Sequence, residues 1–273
     1  MTKLSLFDYH LPEALIAQRP APKRDDSRLM RLTRGAGAIS HHRFGALQDL
    51  LRPGDVLVVN DTKVFWARLR GTRRSGGAVE LLLVRDLGGG AWEAMIRGVF
   101  AREPGSCAAP TAGLHFTETL LETIRARGVE VASVTLHVGP GTFKPVTAEQ
   151  VEDHVMDAEP YLVDETAARA VNAAKEEGRR VVAVGTTVTR TLESAADERG
   201  RLRPGAGETR LFITPGYTFR AVDAMVTNFH LPRSTLLMLV CAFAGRDHAM
   251  RAYEEAVRME YRFYSYGDAM FIE

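Results

Sequence analysis

Five short polar stretches carry the residue types that do chemistry in this chain, and three of them hold a histidine. Thr227-Asn228-Phe229-His230 leads through Ser234 into an unbroken apolar run at residues 236–244. An Asn and a His at the mouth of a buried helix stand where a ligand uses the helix N-terminus. The alternative is that both only satisfy loop backbone groups. The stretch 109–117, APTAGLHFT, combines small residues and Gly113, which let backbone approach a ligand closely, with His115, its one side chain that titrates near neutrality. His137 lies at the end of an alternating run, opposite in direction to Val134, Leu136 and Val138. The exit that follows, Gly139-Pro-Gly141-Thr142-Phe143, is a tight turn suited to forming a ligand wall. Gly185-Thr186-Thr187 offers free N–H groups and hydroxyls at a helix start, and Arg190 in the first turn carries the charge to hold a carboxylate or phosphate. It is not a Walker loop, because the lysine and second glycine are missing. Asn60-Asp61-Thr62 closes an apolar strand, the usual position of a site in an α/β sheet, with a simple Asx turn as the alternative.

The elements that must position these residues follow from periodicity and punctuation. Residues 56–59 and 181–184 are continuous apolar runs, the pattern of strands buried on both faces. Residues 29–32 and 39–44 read as a hairpin turned by Gly35-Ala-Gly37, and 129–138 as a strand. Thr117 caps a helix ending at Gly128, and Asp164 caps one running to Glu177 and stopped by Gly178. A helix follows at 188–196, and Ser234 caps the apolar helix that Gly245 stops. A further helix runs from 247 to about 260. Residues 211–213 and 261–272 read as strands, 197–207 as a surface loop, and 12–17 as a short helix. Three short strand candidates at 64–70, 78–84 and 91–96 make a small β subdomain.

Composition sets the boundaries. With 273 residues, 45% hydrophobic and 25% charged, the chain is ordinary globular protein. A net charge of +1 provides no global field for nucleic acid, so RNA contact needs a local patch. Cys107 and Cys241 have no paired spacing and read as reduced thiols. No signal-peptide core or membrane-length apolar segment is present, which implies a cytoplasmic protein with no membrane contact. The acidic run 152–159 around His154 matches no standard zinc or calcium spacing, so no metal site is expected. His41 and His42 read as solvated surface.

The strings NDTKV (60–64), APTAGLHFT (109–117), LHVGPGTF (136–143), VGTTVTRTLE (184–193), LFITPGY (211–217), TNFHLPRSTLLMLVCAFAG (227–245) and YRFYSYGDAM (261–270) closely resemble the S-adenosylmethionine:tRNA ribosyltransferase-isomerases of queuosine biosynthesis. That resemblance runs from Phe7 to Ile272. It implies a mixed-sheet α/β catalytic domain, residues 1–66 and 109–273, with an inserted β-barrel-like subdomain at 67–108. It implies transfer and isomerisation of the ribosyl moiety of S-adenosylmethionine onto 7-aminomethyl-7-deazaguanine at the tRNA wobble position. Epoxyqueuosine is the implied product, with adenine and methionine released. S-adenosylmethionine is then a co-substrate rather than a tightly bound cofactor, tRNA is the partner, and a monomer is expected. On this reading His115, His137 and His230 carry proton transfers, with Asp268 joining them. Asn60, Asp61, Thr62 and Asn228 orient hydroxyls or base edges. Gly113, Gly139, Gly141 and Thr142 line the substrates. Thr186, Thr187 and Arg190 hold the methionyl carboxylate or a tRNA phosphate.

This chain also departs from the family. Members are longer by dozens of residues between Arg97 and Val99, so either the inserted barrel is reduced here or residues missing at this point have been closed up in the numbering. Asp157 stands where a second histidine is common, and Gly207-Glu-Thr-Arg210 replaces a Gly-Trp-Thr-Asp pattern. Two competing readings follow from the shortening: a relative that transfers the ribosyl group to a small acceptor, and a non-catalytic RNA-binding protein.

Overall fold

The computed structural model describes residues 2–62, 68–72, 78–88, 91–98, 110–139 and 146–273. Its first strands are β1 (Arg28–Leu32), β2 (Ile39–Arg43) and β3 (Val56–Asn60), with the one-turn helix α1 (Leu47–Leu50) between the last two. A separate antiparallel sheet follows, made of β4 (Arg68–Thr72), β5 (Ala78–Gly88) and β6 (Ala91–Gly98) in the order β4-β5-β6. Helix α2 (Glu118–Ala126) leads to β7 (Glu130–Leu136) and β8 (Glu159–Val163), and helix α3 (Glu165–Glu176) to β9 (Val181–Val184). Helix α4 (Thr186–Ala195) precedes β10 (Gly205–Thr209) and β11 (Ala224–Asn228). The chain ends with α5 (Thr235–Ala244), α6 (Arg246–Arg258) and β12 (Ala269–Ile272).

Nine strands form one mixed sheet, ordered β10-β8-β7-β3-β9-β11-β12-β1-β2. At its centre β7, β3, β9 and β11 are mutually parallel. Strand β12 runs antiparallel to β11, and β1 runs parallel to β12. The ends of the central strands, Asn60, Leu136, Val184 and Asn228, therefore share an edge with the starts of β12 and β1. Side-chain alternation divides the core between two faces. Val56, Val58, Val181, Ala183, Met225 and Met270 pack with α3 to α6 on one face. Leu57, Val182, Val184, Val226 and Phe271 pack with α1 and α2 on the other. This is the buried-on-both-faces environment that the apolar runs predict.

The caps hold where the sequence places them. Thr117 Oγ1 accepts from Leu120 N–H at 3.2 Å, Asp164 Oδ1 from Ala167 N–H at 2.7 Å, and Ser234 Oγ from Leu237 N–H at 3.2 Å. Gly128, Gly178 and Gly245 all take positive φ at the helix stops. At the amino edge of the sheet Arg180 joins the starts of β3 and β9 to the chain end, bonding both Asp55 oxygens at 2.6 and 3.0 Å and also Glu273. Cys241 is buried within α5, and burial pushes its thiol up to about 12, so it is inert packing; Cys107 lies outside the described residues.

Several expectations are corrected. Residues 211–213 are irregular, and the strand instead forms at Gly205–Thr209, where the glycine-rich surface loop is expected. β10 forms because β8 supplies an unpaired antiparallel edge, a non-local partner invisible to local pattern. In the tail only Ala269–Ile272 is strand, since residues 261–268 form a loop tied down by Asp268. Residues 12–17 hold a single 3₁₀ turn at Glu13–Leu15, because Leu15, Ile16 and Ala17 are drawn into backbone pairing with Phe263.

Helix α5 is apolar all round, and Leu237 within it has 0% exposure. Leu237→Ala should therefore remove about 3 kcal/mol of stability through a cavity that the surrounding helices cannot close. The shift of the urea unfolding midpoint measures this loss.

Candidate functional site

The carboxyl edge of the central strands opens into a cleft of about 480 Å³, lined among others by Thr111, Ala112, Thr186, Thr187, Asn228 and His230. A polar cleft at the carboxyl ends of parallel strands is the standard ligand position of an open α/β sheet. Helix α4 points its start into the cleft. Its N-cap is Gly185 at φ +94°, and no side chain caps it, so the first N–H groups face the opening.

Asn228, the last residue of β11, is 2% exposed and forms part of the cleft wall. Its Nδ2 donates to Tyr264 O at 3.2 Å and to His115 Nε2 at 3.3 Å. That contact makes Nε2 the acceptor and leaves the ring proton on Nδ1, which donates to Ser27 Oγ at 2.7 Å. Ser27 Oγ in turn donates to Arg24 O at 3.2 Å. The imidazole also stacks on Phe44, with centroids 4.8 Å apart. Burial lowers the His115 pKa to about 4, against the opposing pull of Asp268. Asn228 Oδ1 remains buried with no donor among the described residues, an open acceptor at the cleft wall.

His230 lies in the same cleft, with Nε2 2.8 Å from Thr227 Oγ1 and its backbone N–H donating to Tyr253 Oη at 3.1 Å. Burial alone pulls its pKa down to about 3. His137 differs from both. It is exposed beyond β7, with Nδ1 3.0 Å from Thr62 Oγ1 and its N–H donating to Pro160 O at 3.0 Å. The three histidines thus do not share one chamber. His115 faces a second, smaller cavity, separated from the first by its contact with Asn228.

The other sequence candidates divide between cleft and scaffold. Asn60 uses its whole amide on the protein, with Oδ1 accepting from Thr62 and Leu136 N–H and Nδ2 donating to Leu136 O at 3.1 Å. It pins β3 to β7 through an Asx turn. Asp61 accepts from Thr135 Oγ1 at 2.7 Å and is otherwise exposed. A Cβ at Gly113 would meet no protein atom, so the space beside it is open. Gly139 donates its N–H to Glu159 Oε1 at 2.8 Å, and Glu159 forms a buried ion pair with Arg190. Arg190 is 2% exposed and also donates from Nε to Leu211 O at 3.0 Å, so it braces the loop at Gly139. Asp268 likewise binds protein, accepting from Arg28 N–H at 2.9 Å, Arg28 Nε at 3.2 Å and Arg262 N–H at 2.8 Å. Gly141 and Thr142 lie outside the described residues.

Sequence reasoning missed Tyr264 and Ser265, which line the cleft, and Ser27 behind His115. The positive φ of Tyr264, +71° on a bulky residue, is a constraint that residue type conceals. In the acidic run His154 packs edge-on against Phe212, with centroids 5.2 Å apart. Among the described residues no three His, Cys, Asp or Glu side chains converge on a metal-sized site.

Fold and cleft together define an α/β protein with a polar cleft at the carboxyl edge of its sheet. Comparison with known proteins narrows this further. A family model described as queuosine biosynthesis protein matches residues 4–98 and 96–272. The chain is 46% identical to the S-adenosylmethionine:tRNA ribosyltransferase-isomerase of Pelobacter propionicus, covering 98% of each. It is 48% identical to the enzyme of that name from Anaeromyxobacter, covering 99% of each. A crystal structure titled S-adenosylmethionine tRNA ribosyltransferase from Thermotoga maritima matches with a TM-score of 0.71 and 41% identity, over 98% of this chain and 100% of that one. The chain belongs to the queuosine biosynthesis protein family. The two halves of the family match meet at residues 96–98, and the alignments to the two named relatives run to 338 and 342 positions against a chain of 273 residues. The break in the family match places this difference in length next to Arg97.

The two buried histidines make stability depend on pH. His230 stays neutral in the fold but takes up a proton readily once unfolded, near pH 6.5. Its contribution is therefore complete above about pH 6.5 and is lost as pH falls toward about 3. His230→Asn should flatten the decline in unfolding free energy between pH 6.5 and 4 by up to about 1.4 kcal/mol per pH unit. Urea titrations across that range check the slope, and parallel curves for the two proteins would contradict it.

Proposed function

We propose that this chain transfers and isomerises the ribosyl moiety of S-adenosylmethionine onto 7-aminomethyl-7-deazaguanine at the wobble position of tRNA, giving epoxyqueuosine and releasing adenine and methionine. The observation that carries this reading is near-end-to-end likeness to enzymes named for that reaction, at 45–48% identity. On this reading the protein is a monomeric cytoplasmic transferase. Residues 1–66 and 109–273 form its catalytic body, and residues 67–108 its reduced β insertion.

The cleft supplies groups that suit S-adenosylmethionine. The uncapped start of α4 presents the Thr186 and Thr187 N–H groups and hydroxyls to the methionyl carboxylate. Asn228 Oδ1, left without a donor, accepts an N–H of the ligand. Arg190 supports this arrangement from behind through Glu159 and Gly139 and does not touch the ligand.

The sulfonium acidifies the adjoining C5′ protons, so a single positioned base begins the reaction, and adenine leaves with a proton. The aminomethyl group attacks in its neutral form. His137, exposed and seated on Thr62 at the cleft margin, is the one of these three histidines that lies open to solvent. His115 and His230, held neutral by burial, act as hydrogen-bonding groups that fix Asn228 and Thr227.

Incubation with S-adenosylmethionine and precursor-bearing tRNA should release free adenine in a tRNA-dependent manner. His137→Ala should lower the rate by about 10² or more and alter its pH profile. His115→Ala and His230→Ala should lower it while leaving the profile's shape unchanged. Adenine release that needs no tRNA would favour a small acceptor and overturn the proposal.

A further inference from the structure

The shallow pocket behind Asn228 is open to solvent and is lined by Arg24, Ser27, Leu114, His115, Tyr266 and Gly267. It shares Thr111 and Ser265 with the main cleft, so the two chambers adjoin. Their rims differ in chemistry. The main cleft is walled by threonines, Asn228 and a helix start, whereas the smaller one is lined by exposed Arg24, with exposed Arg19 next to its lining residue Pro20 and Lys23 paired with Asp25 at 3.6 Å. The Arg19 and Arg24 guanidinium groups have no ion pair or hydrogen bond among the described residues. In a chain of net charge +1 that is a local cationic patch.

Above this patch stands a turn held in an unfavourable shape. Tyr264 adopts φ +71°, kept there by its N–H donating to Phe229 O at 2.9 Å and by Gly267 N–H donating to its carbonyl at 3.0 Å. A Cβ at Gly267 would come within 2.4 Å of Arg262 O, so only glycine fits. Asp268 fixes the base of the turn through Arg262 N–H at 2.8 Å. This tightly determined loop presents Tyr266 outward at 42% exposure, among the few large apolar residues left on the surface. Fixing an aromatic ring beside cationic side chains at the mouth of a cavity is how proteins take up an unstacked base: the ring stacks it and the cations hold flanking phosphates.

We infer that the Tyr264–Gly267 turn is the nucleobase platform of this site. Tyr266 stacks a base drawn out of an RNA loop, and Arg24 and Arg19 bind the adjoining phosphates. The Asn228–His115 contact then forms the partition across which the two substrates meet. This rests on the proposed tRNA substrate and adds the face by which RNA enters.

The test measures binding of a precursor-bearing tRNA anticodon stem-loop by fluorescence anisotropy, alongside adenine release by the unaltered protein. Tyr266→Ala should weaken RNA binding about tenfold, the loss of one base stack. It should leave the KM for S-adenosylmethionine and the circular dichroism spectrum unchanged, and Tyr266→Trp should restore binding. Arg24→Ala should weaken binding and flatten its salt dependence. Equal RNA affinity for Tyr266→Ala and the unaltered protein overturns the inference, whatever the turnover. RNA binding lost on Tyr266→Ala in a protein that releases no adenine supports the inference and refutes the proposed reaction.

Discussion

The arrangement depends on the register of four parallel strands. Strands β3, β9 and β11 are covered on both faces and stay apolar over most of their length, while β7 alternates, burying Val134 and Leu136 and leaving Glu130 exposed. Polar residues become tolerable only where the covering helices end, and in a parallel ladder that happens at one common edge. Asn60, His137, Gly185 and Asn228 therefore converge although they lie far apart in sequence. Antiparallel β12 brings Asp268 to the same edge from the opposite direction. A one-residue slip in any pairing would send a polar side chain into the core and an apolar one into the cleft.

Convergence alone does not make a site, since many polar atoms at this edge are spent on holding it together. Asn60, Asp268, Glu159 and Arg190 are committed to protein partners and define loop shape. Glu193 does the same at a distance, accepting from the Ala221 and Val222 N–H groups at 3.0 Å where the chain turns into β11. Against that background the unpaired Asn228 Oδ1 and the uncapped start of α4 stand out. Burying His115 and His230 as neutral rings costs stability at low pH and fixes the tautomer that directs the Asn228 amide.

Much of this was legible in the sequence. The apolar runs at 56–59 and 181–184, the three side-chain caps and the glycine stops identified the central strands and helices. The polar stretches at Gly185–Thr187 and Thr227–His230 pointed to the cleft. What stayed hidden depends on long-range pairing. β10 exists only because β8 offers it an edge, and Arg190 is drawn inward by Glu159, thirty-one residues away. Read locally, that arginine was a ligand-binding cation at a helix start. The Tyr264 turn was equally invisible, because its strain is set by Phe229 and Gly267 rather than by residue type.

Backbone hydrogen exchange with and without S-adenosylmethionine tests the central claim most directly. If the ligand occupies the carboxyl-edge cleft, amide protection should rise at Thr186, Thr187 and Val188, where the start of α4 has no side-chain cap, and at Thr227 to His230. Protection confined to other segments, with the start of α4 exchanging as before, would contradict the account.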